Sequence, residues 1–167
     1  MRETVFKDAL QAVLATAAAV LVYSLAGSSG PALLVVLNAF SIVVLYFAVR
    51  RGEVFGAVLG TACGLVQDSF SLGVFGVGGL TKTLMGFWAG YISRRVDVSP
   101  VLRNGAFMLA MAFLEVVLWV SIKAVVRIEP LNLQGGLVFL QPLVTAVLGS
   151  FLVAAERRIR ARSSRGG

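Results

Sequence analysis

A glutamine and two acidic residues stand in stretches of otherwise apolar sequence. Gln67 and Asp68 follow "GTACGLV" (60–66), and Glu115 lies within "MLAMAFLEVVLWVSIK" (108–123). In apolar surroundings a carboxylate can bind a proton, pair with a basic group or accept hydrogen bonds from backbone N–H groups at a helix end. The chain has no histidine and one cysteine, Cys63, which excludes an intrachain disulfide and an ordinary zinc site. We therefore predict neither an enzyme nor a bound cofactor.

Glu115 is the charge placed deepest in an apolar stretch. We expect it to face the interior, where it is neutralised by protonation or pairs with a basic or amide group. Lys82 can reach it only if their helices are adjacent. Proton-coupled transport is an alternative role for Glu115, although the sequence shows no second relay group.

The segment "GVFGVGGLTKT" (73–83) superficially resembles a phosphate-binding loop. That loop requires glycine directly before its lysine, whereas Thr81 precedes Lys82, so we reject nucleotide binding. We instead expect these glycines to allow a partly unwound segment to pack inside the protein. The outward-facing turn is predicted to contain Gln67, Asp68, Gly73 and Lys82.

The composition indicates an all-α protein embedded in a membrane. Of 167 residues, 58% are hydrophobic and 14% are charged, and the mean hydropathy is +0.90. Since one crossing takes roughly 20 apolar residues, the chain has room for about six crossings and for no separate soluble domain. The predicted segments are 9–26, 32–49, 54–66, 76–92, 101–126 and 137–155.

The basic residues alternate between the two sides of these segments. Their clustering between apolar runs, rather than along one soluble face, argues against nucleic-acid binding despite a net charge of +7. Twelve of the 15 lysines and arginines fall on one side, and the other three are Lys82, Lys123 and Arg127. Because cytoplasmic loops carry the basic excess, both termini are predicted to be cytoplasmic. Residues 1–155 would form the transmembrane domain and 156–167 a basic tail that anchors the topology or binds anionic lipid.

Glycines recur at intervals of four through the third segment and into the fourth. On a helix this spacing builds one groove where another backbone can approach closely. The glycines predicted to pack in this way, within the chain or against another protein, are Gly52, Gly56, Gly60, Gly64, Gly86 and Gly90. Asp68 continues the same four-residue step, so it either caps a helix end or contacts a partner or ligand.

The stretch "RRGEVFGAVLGTACGLVQDSFSLGVFGVGGLTKTLMGFWAGYI" (50–92) resembles the central signature of the MreD family of rod shape-determining membrane proteins. In that family spaced glycines lead into a G-L-x-x-D element, a small-residue turn and a further helix. The matching positions are Gly56, Gly60, Gly64, Leu65, Asp68, Leu72 and Gly73. The chain departs from the family at the start of the second helix, where Leu37-Asn38 replaces a Pro-Asp or Pro-Asn pair, and it lacks a glycine after the aspartate.

The resemblance implies a non-enzymatic scaffold of the cell-elongation machinery in the bacterial inner membrane. It implies binding to MreC, and a larger complex with MreB, RodA and a class B penicillin-binding protein. It also implies a fold similar to the S components of energy-coupling-factor transporters. The alternative function is therefore an S-component-like capture module, in which Gln67, Asp68 and Asn38 would hold a vitamin-like ligand.

Overall fold

A computed structural model of the chain describes residues 2–30, 36–71, 74–96, 101–126 and 134–163. Within these ranges the protein is all-helical, as predicted, and contains six α-helices and one short 3₁₀ helix, Gln134–Phe139. The α-helices are α1 (Arg2–Ser29), α2 (Ala39–Arg51), α3 (Glu53–Phe70), α4 (Val77–Ser93), α5 (Val101–Val126) and α6 (Gln141–Ser163).

Consecutive helices in the first half of the chain run antiparallel. The ring of Tyr23 lies 5.7 Å from that of Phe40, at the start of α2, and 5.8 Å from that of Phe70, at the end of α3. Asp8, near the start of α1, forms an ion pair with Arg51 at the end of α2. Helix α2 therefore runs opposite to both α1 and α3.

The same alternation continues through the last three helices. Gly52 lies against Gly90 and Gly64 against Gly78, which makes α4 antiparallel to α3. Gly149 of α6 packs on Met108 of α5, and Gly105, one turn earlier in α5, faces Ser150, the residue after Gly149. The first helix begins and the last helix ends at one end of the bundle, which we call the basic end because it carries Lys7, Arg50, Arg51, Arg94, Arg95, Arg103 and Arg158.

Helix α2 lies at the centre of the bundle and contacts each of the other five α-helices. Phe40, Val44, Leu45 and Ala48 are fully buried along its length. Gly52, at φ +91°, is the single residue between α2 and α3, a backbone conformation that favours glycine and allows the chain to reverse there. This short link places the two helices side by side.

The outer helices expose apolar side chains instead of burying them. Two stretches in the described residues are long and apolar enough to cross a membrane, Lys7–Gly27 in α1 and Arg103–Val126 in α5, and only 17% and 22% of their most apolar windows are buried. A shorter apolar stretch covers Gln141–Glu156 in α6. Large side chains such as Leu25 and Phe151 are about 70% exposed. An apolar exterior of this kind suits contact with lipid.

Several predicted boundaries differ from the structure; helix α2, for example, begins at Ala39 rather than at residue 32. Helix α3 continues to Phe70 and α4 is regular from Val77, so the expected unwound segment is confined to the connection between these helices, of which residues 72 and 73 lie outside the described residues. Helix α6 continues to Ser163, past the predicted boundary at residue 155. Its last turns contain alanine, glutamate and arginine, which are good helix formers, and Glu156 pairs with Arg50 at 2.8 Å.

Candidate functional site

Four polar side chains from three helices meet inside the bundle, and we call them the Glu115 cluster: Asn38, Ser41, Lys82 and Glu115. Oε1 of Glu115 accepts hydrogen bonds from Lys82 Nζ at 2.5 Å, Ser41 Oγ at 2.8 Å and Asn38 Nδ2 at 3.3 Å. No member is more than 5% exposed. The cluster joins α2, α4 and α5 at one point.

Local helix structure explains why α2 supplies two of these groups. Asn38 is the N-cap of α2, and its Oδ1 accepts a hydrogen bond from the Ser41 backbone N–H at 3.2 Å. The cap fixes the Asn38 side chain so that its amide N–H₂ faces Glu115. Ser41, three residues later, lies on the same face and donates its hydroxyl to the same carboxylate oxygen.

The Glu115 cluster is buried and lies toward the end of the bundle opposite the basic end. Thirteen helical residues separate Asn38 from the basic end of α2, a rise of about 20 Å.

Breaking a buried ion pair by removing one partner costs about 3–5 kcal/mol, because the remaining charge is left uncompensated. Oε2 of Glu115 is also buried and has no hydrogen-bond partner among the described residues. Lys82 is the titratable partner of Glu115 in those residues, so the cluster is suited to holding three helices in register.

Asp68 forms a second polar centre, where α3 passes into α4. Its Oδ2 accepts the backbone N–H groups of Gly76 at 2.9 Å and Gly79 at 3.1 Å, and its Oδ1 accepts that of Gly78 at 3.1 Å. The carboxylate thus satisfies free donors at the start of α4, the next helix. A β carbon at Gly78 would collide with Oδ1, so glycine is required for this approach.

The glycine rows of α3 and α4 pack against each other within the chain. A β carbon on Gly56 would lie closer than 3.0 Å to the backbone oxygen of Gly86, and one on Gly60 would collide with that of Lys82. Gly64 meets Gly78 and Gly79 in the same way, and a β carbon on Gly90 would collide with the backbone of Gly52 and Glu53. The close packing is as predicted, and of the two alternatives left open by the sequence, the groove is filled by α4 rather than left available to another protein.

The structure corrects one predicted site residue and locates the others. Lys82 does not belong to the outward turn, because it is the sixth residue of α4 and points inward to Glu115. Glu115 is buried and paired, and Asn38 begins α2, both as predicted. Gln67 is half-buried beside Asp68, and Gly73 lies outside the described residues.

Sequence reasoning did not identify Ser41 or the ion pairs of the basic end. Asp8 pairs with Arg51, Glu53 with Arg94 at 3.3 Å, and Glu156 with Arg50 at 2.8 Å. Each pair joins two helices. The available signal was the position of each acid beside a predicted cytoplasmic helix end, next to the basic clusters.

The hydroxyls of Ser69 and Ser71 donate to backbone carbonyls and do not cap free N–H groups. Ser69 donates to the Leu65 carbonyl at 2.9 Å and Ser71 to that of Asp68 at 3.1 Å. Both therefore satisfy carbonyls at the end of α3, and the capping of α4 is left to Asp68.

Comparisons of the chain with protein-family models, with curated proteins and with solved structures gave no significant match.

Proposed function

We propose that this chain is a non-enzymatic membrane scaffold of the MreD type, which crosses the bacterial inner membrane six times. The basic end, with both termini, faces the cytoplasm. The proposal is supported by an antiparallel bundle with an apolar exterior and by the collection of basic residues at one end. The choice of the MreD family rests on the sequence resemblance of residues 50–92.

The observation that favours a scaffold over a capture module is that two of the three candidate ligand-binding groups, Asp68 and Asn38, are already occupied. Oε1 of the third, Gln67, is buried and has no hydrogen-bond partner among the described residues. Both oxygens of Asp68 accept backbone N–H groups, and Asn38 is hydrogen-bonded to Ser41 and Glu115. Releasing either group to a ligand would leave buried donors or acceptors without partners, at a cost of about 1–3 kcal/mol for each. Asp68 and Asn38 therefore stabilise the fold and are not available to bind a ligand.

A partner helix, such as that of MreC, must bind outside the glycine groove, because α4 fills it. Helix α1 offers the most open surface, since among the described helices it contacts only α2 and α3. Its outer face exposes Ala17 and Ala18 between Leu14 and Leu21. Small residues at that level allow a neighbouring backbone to approach closely. MreB, RodA and the class B penicillin-binding protein complete the proposed assembly.

The test is affinity purification of the tagged chain from native membranes, with identification of both co-purifying proteins and small molecules. We expect MreC to be recovered, and we expect Ala18→Trp to reduce its recovery. Ala110→Trp, on the exposed face of α5, is the matched control that should leave recovery unchanged. A stoichiometric vitamin-like molecule without cell-wall proteins would contradict the scaffold and support the capture module.

A further inference from the structure

The outer face of α4 carries a ladder of side chains that ends in an arginine, and we call Phe87, Trp88, Tyr91 and Arg95 the α4 ladder. The Phe87 and Tyr91 rings are stacked with centroids 6.1 Å apart, and Trp88 meets Tyr91 edge to face at 5.8 Å. The guanidinium carbon of Arg95 lies 3.8 Å from the centroid of the Tyr91 ring. The ladder runs down α4 to the basic end.

Arg95 differs from its neighbours in how its charge is used. Arg51 pairs with Asp8, and Arg94 pairs with Glu53 while also donating to the Arg51 carbonyl at 3.0 Å. Among the described contacts, the guanidinium of Arg95 has the Tyr91 ring and no carboxylate. Stacking engages the plane of a guanidinium and leaves the N–H groups on its edge free to bind two oxygens of a phosphate.

The polarity of the α4 ladder changes along its length. Farther from the basic end than Arg95, the outer face of α4 is apolar. Trp88 is 44% exposed and Phe87 38% exposed on this face, and Leu80 continues it. The opposite face of α4 is buried against α3, α2 and α5. Tryptophan and tyrosine concentrate at the level of lipid headgroups, where one part of the ring is apolar and another polar. The Arg95 cation lies at the basic end and the aromatic rings lie farther along α4. This order of charge and apolar surface is complementary to the phosphate and the acyl chain of a phospholipid.

We propose that the α4 ladder binds an anionic phospholipid. The phosphate accepts N–H groups from Arg95, and an acyl chain lies along Phe87 and Trp88. An anionic headgroup is favoured over a zwitterionic one because the latter would bring its own ammonium beside Arg95. The inference depends on the membrane placement of the basic end given under the proposed function, and it is independent of the MreD assignment and of any partner protein.

The two tryptophans of the chain, Trp88 and Trp119, make the site directly observable. In a Trp119→Phe background Trp88 is the single tryptophan, and a brominated acyl chain that packs against it quenches its fluorescence. The full chain in nanodiscs is titrated with brominated phosphatidylglycerol and, separately, with brominated phosphatidylcholine. We expect half-quenching at a mole fraction of phosphatidylglycerol about fivefold lower than that of phosphatidylcholine. This is the preference for an anionic lipid that one basic residue near the membrane surface provides.

Arg95→Gln should abolish this preference while leaving quenching by phosphatidylcholine unchanged. Arg158→Gln, which removes an exposed charge from α6, should preserve the preference. Equal quenching by the two lipids, or an Arg95→Gln variant that keeps the preference, would overturn the proposal. Inorganic phosphate at millimolar concentration should not displace the lipid; displacement would assign the site to a free anion. Quenching by phosphatidylcholine in the Trp119→Phe protein shows that Trp88 contacts lipid acyl chains, so absence of quenching by both lipids in that protein would contradict the membrane placement.

Discussion

Lys82 and Glu115 form an ion pair of 2.5 Å in the interior of the bundle, where their side chains are 3% and 5% exposed. The pair connects α4 to α5, and Ser41 and Asn38 of α2 donate to the same carboxylate oxygen. Two charges in this position are costly to desolvate, and the cost is offset only while both are present and hydrogen-bonded.

A double-mutant cycle should show this interdependence. Glu115→Leu and Lys82→Met should each destabilise the bundle by about 3–5 kcal/mol, because each leaves one buried charge without a partner. The double variant should lose much less stability than the sum of the two single variants, because it leaves no unpaired charge; the remaining loss reflects Asn38 and Ser41, whose donors no longer have the Glu115 carboxylate as acceptor. The measurement is reversible unfolding in mixed micelles. Additive losses in the double variant would show that the two residues act separately.

Gly60 should tolerate no side chain. A β carbon there would collide with the backbone oxygen of Lys82, and neither backbone can move without separating α3 from α4. We expect Gly60→Ala to destabilise the protein by about 1–3 kcal/mol and Gly60→Leu to prevent folding.

Ala62→Leu is the matched control for Gly60, since Ala62 is exposed on the same helix. Thermal unfolding in detergent should distinguish the variants. A Gly60→Leu protein as stable as Ala62→Leu would mean that α3 and α4 do not pack in this register. Because Gly60→Leu acts on the fold itself, a lost partner in that variant would not locate the partner surface.

Asp68→Ala should loosen the start of α4. The carboxylate accepts three backbone N–H groups, and loss of a single cap typically costs about 0.5–2 kcal/mol, so we expect a value near the upper limit. Hydrogen exchange at Gly78 and Gly79 should accelerate. Ser69→Ala, which removes only a bond to the Leu65 carbonyl, is the control and should leave exchange at these amides unchanged. Unaltered protection in Asp68→Ala would contradict the capping role.

Thiol labelling should determine which end of the bundle faces the cytoplasm. In a Cys63→Ala background, Ser71→Cys at the end of α3 should react with an impermeant maleimide added to intact spheroplasts. Val96→Cys, beyond α4 at the basic end and 48% exposed, should react only after permeabilisation. The reverse pattern would place the basic end outside and contradict the charge-based orientation.

Helix order could be predicted from the sequence because it depends on local patterns. Apolar runs of sufficient length, separated by basic pairs such as Arg50 and Arg51, define where helices begin and end. The apolar pattern alone placed the start of the second helix at residue 32, whereas the family resemblance placed it at Asn38, which is the N-cap of α2 in the structure. The four-residue glycine spacing similarly predicted close helix packing.

The surroundings of Lys82 could not be predicted in the same way. Its glycine-rich neighbourhood was consistent with a turn, and only the tertiary packing of α4 against α5 shows that the side chain points inward. The contribution of Ser41 was missed for the same reason, because a serine in an apolar helix has no distinctive pattern. Long-range contacts decide both positions, and a single sequence does not contain the spatial proximity of residues 33 and 74 positions apart.

The order of residues along the chain has a consequence for biogenesis. Lys82 leaves the ribosome 33 residues before Glu115, so α4 is synthesised while its counter-ion is still missing. In the proposed six-crossing topology, the ammonium must stay near water or within the insertion machinery until α5 arrives, since an unpaired charge is costly in hydrocarbon. In that topology the stable insertion of α4 depends on the helix that follows.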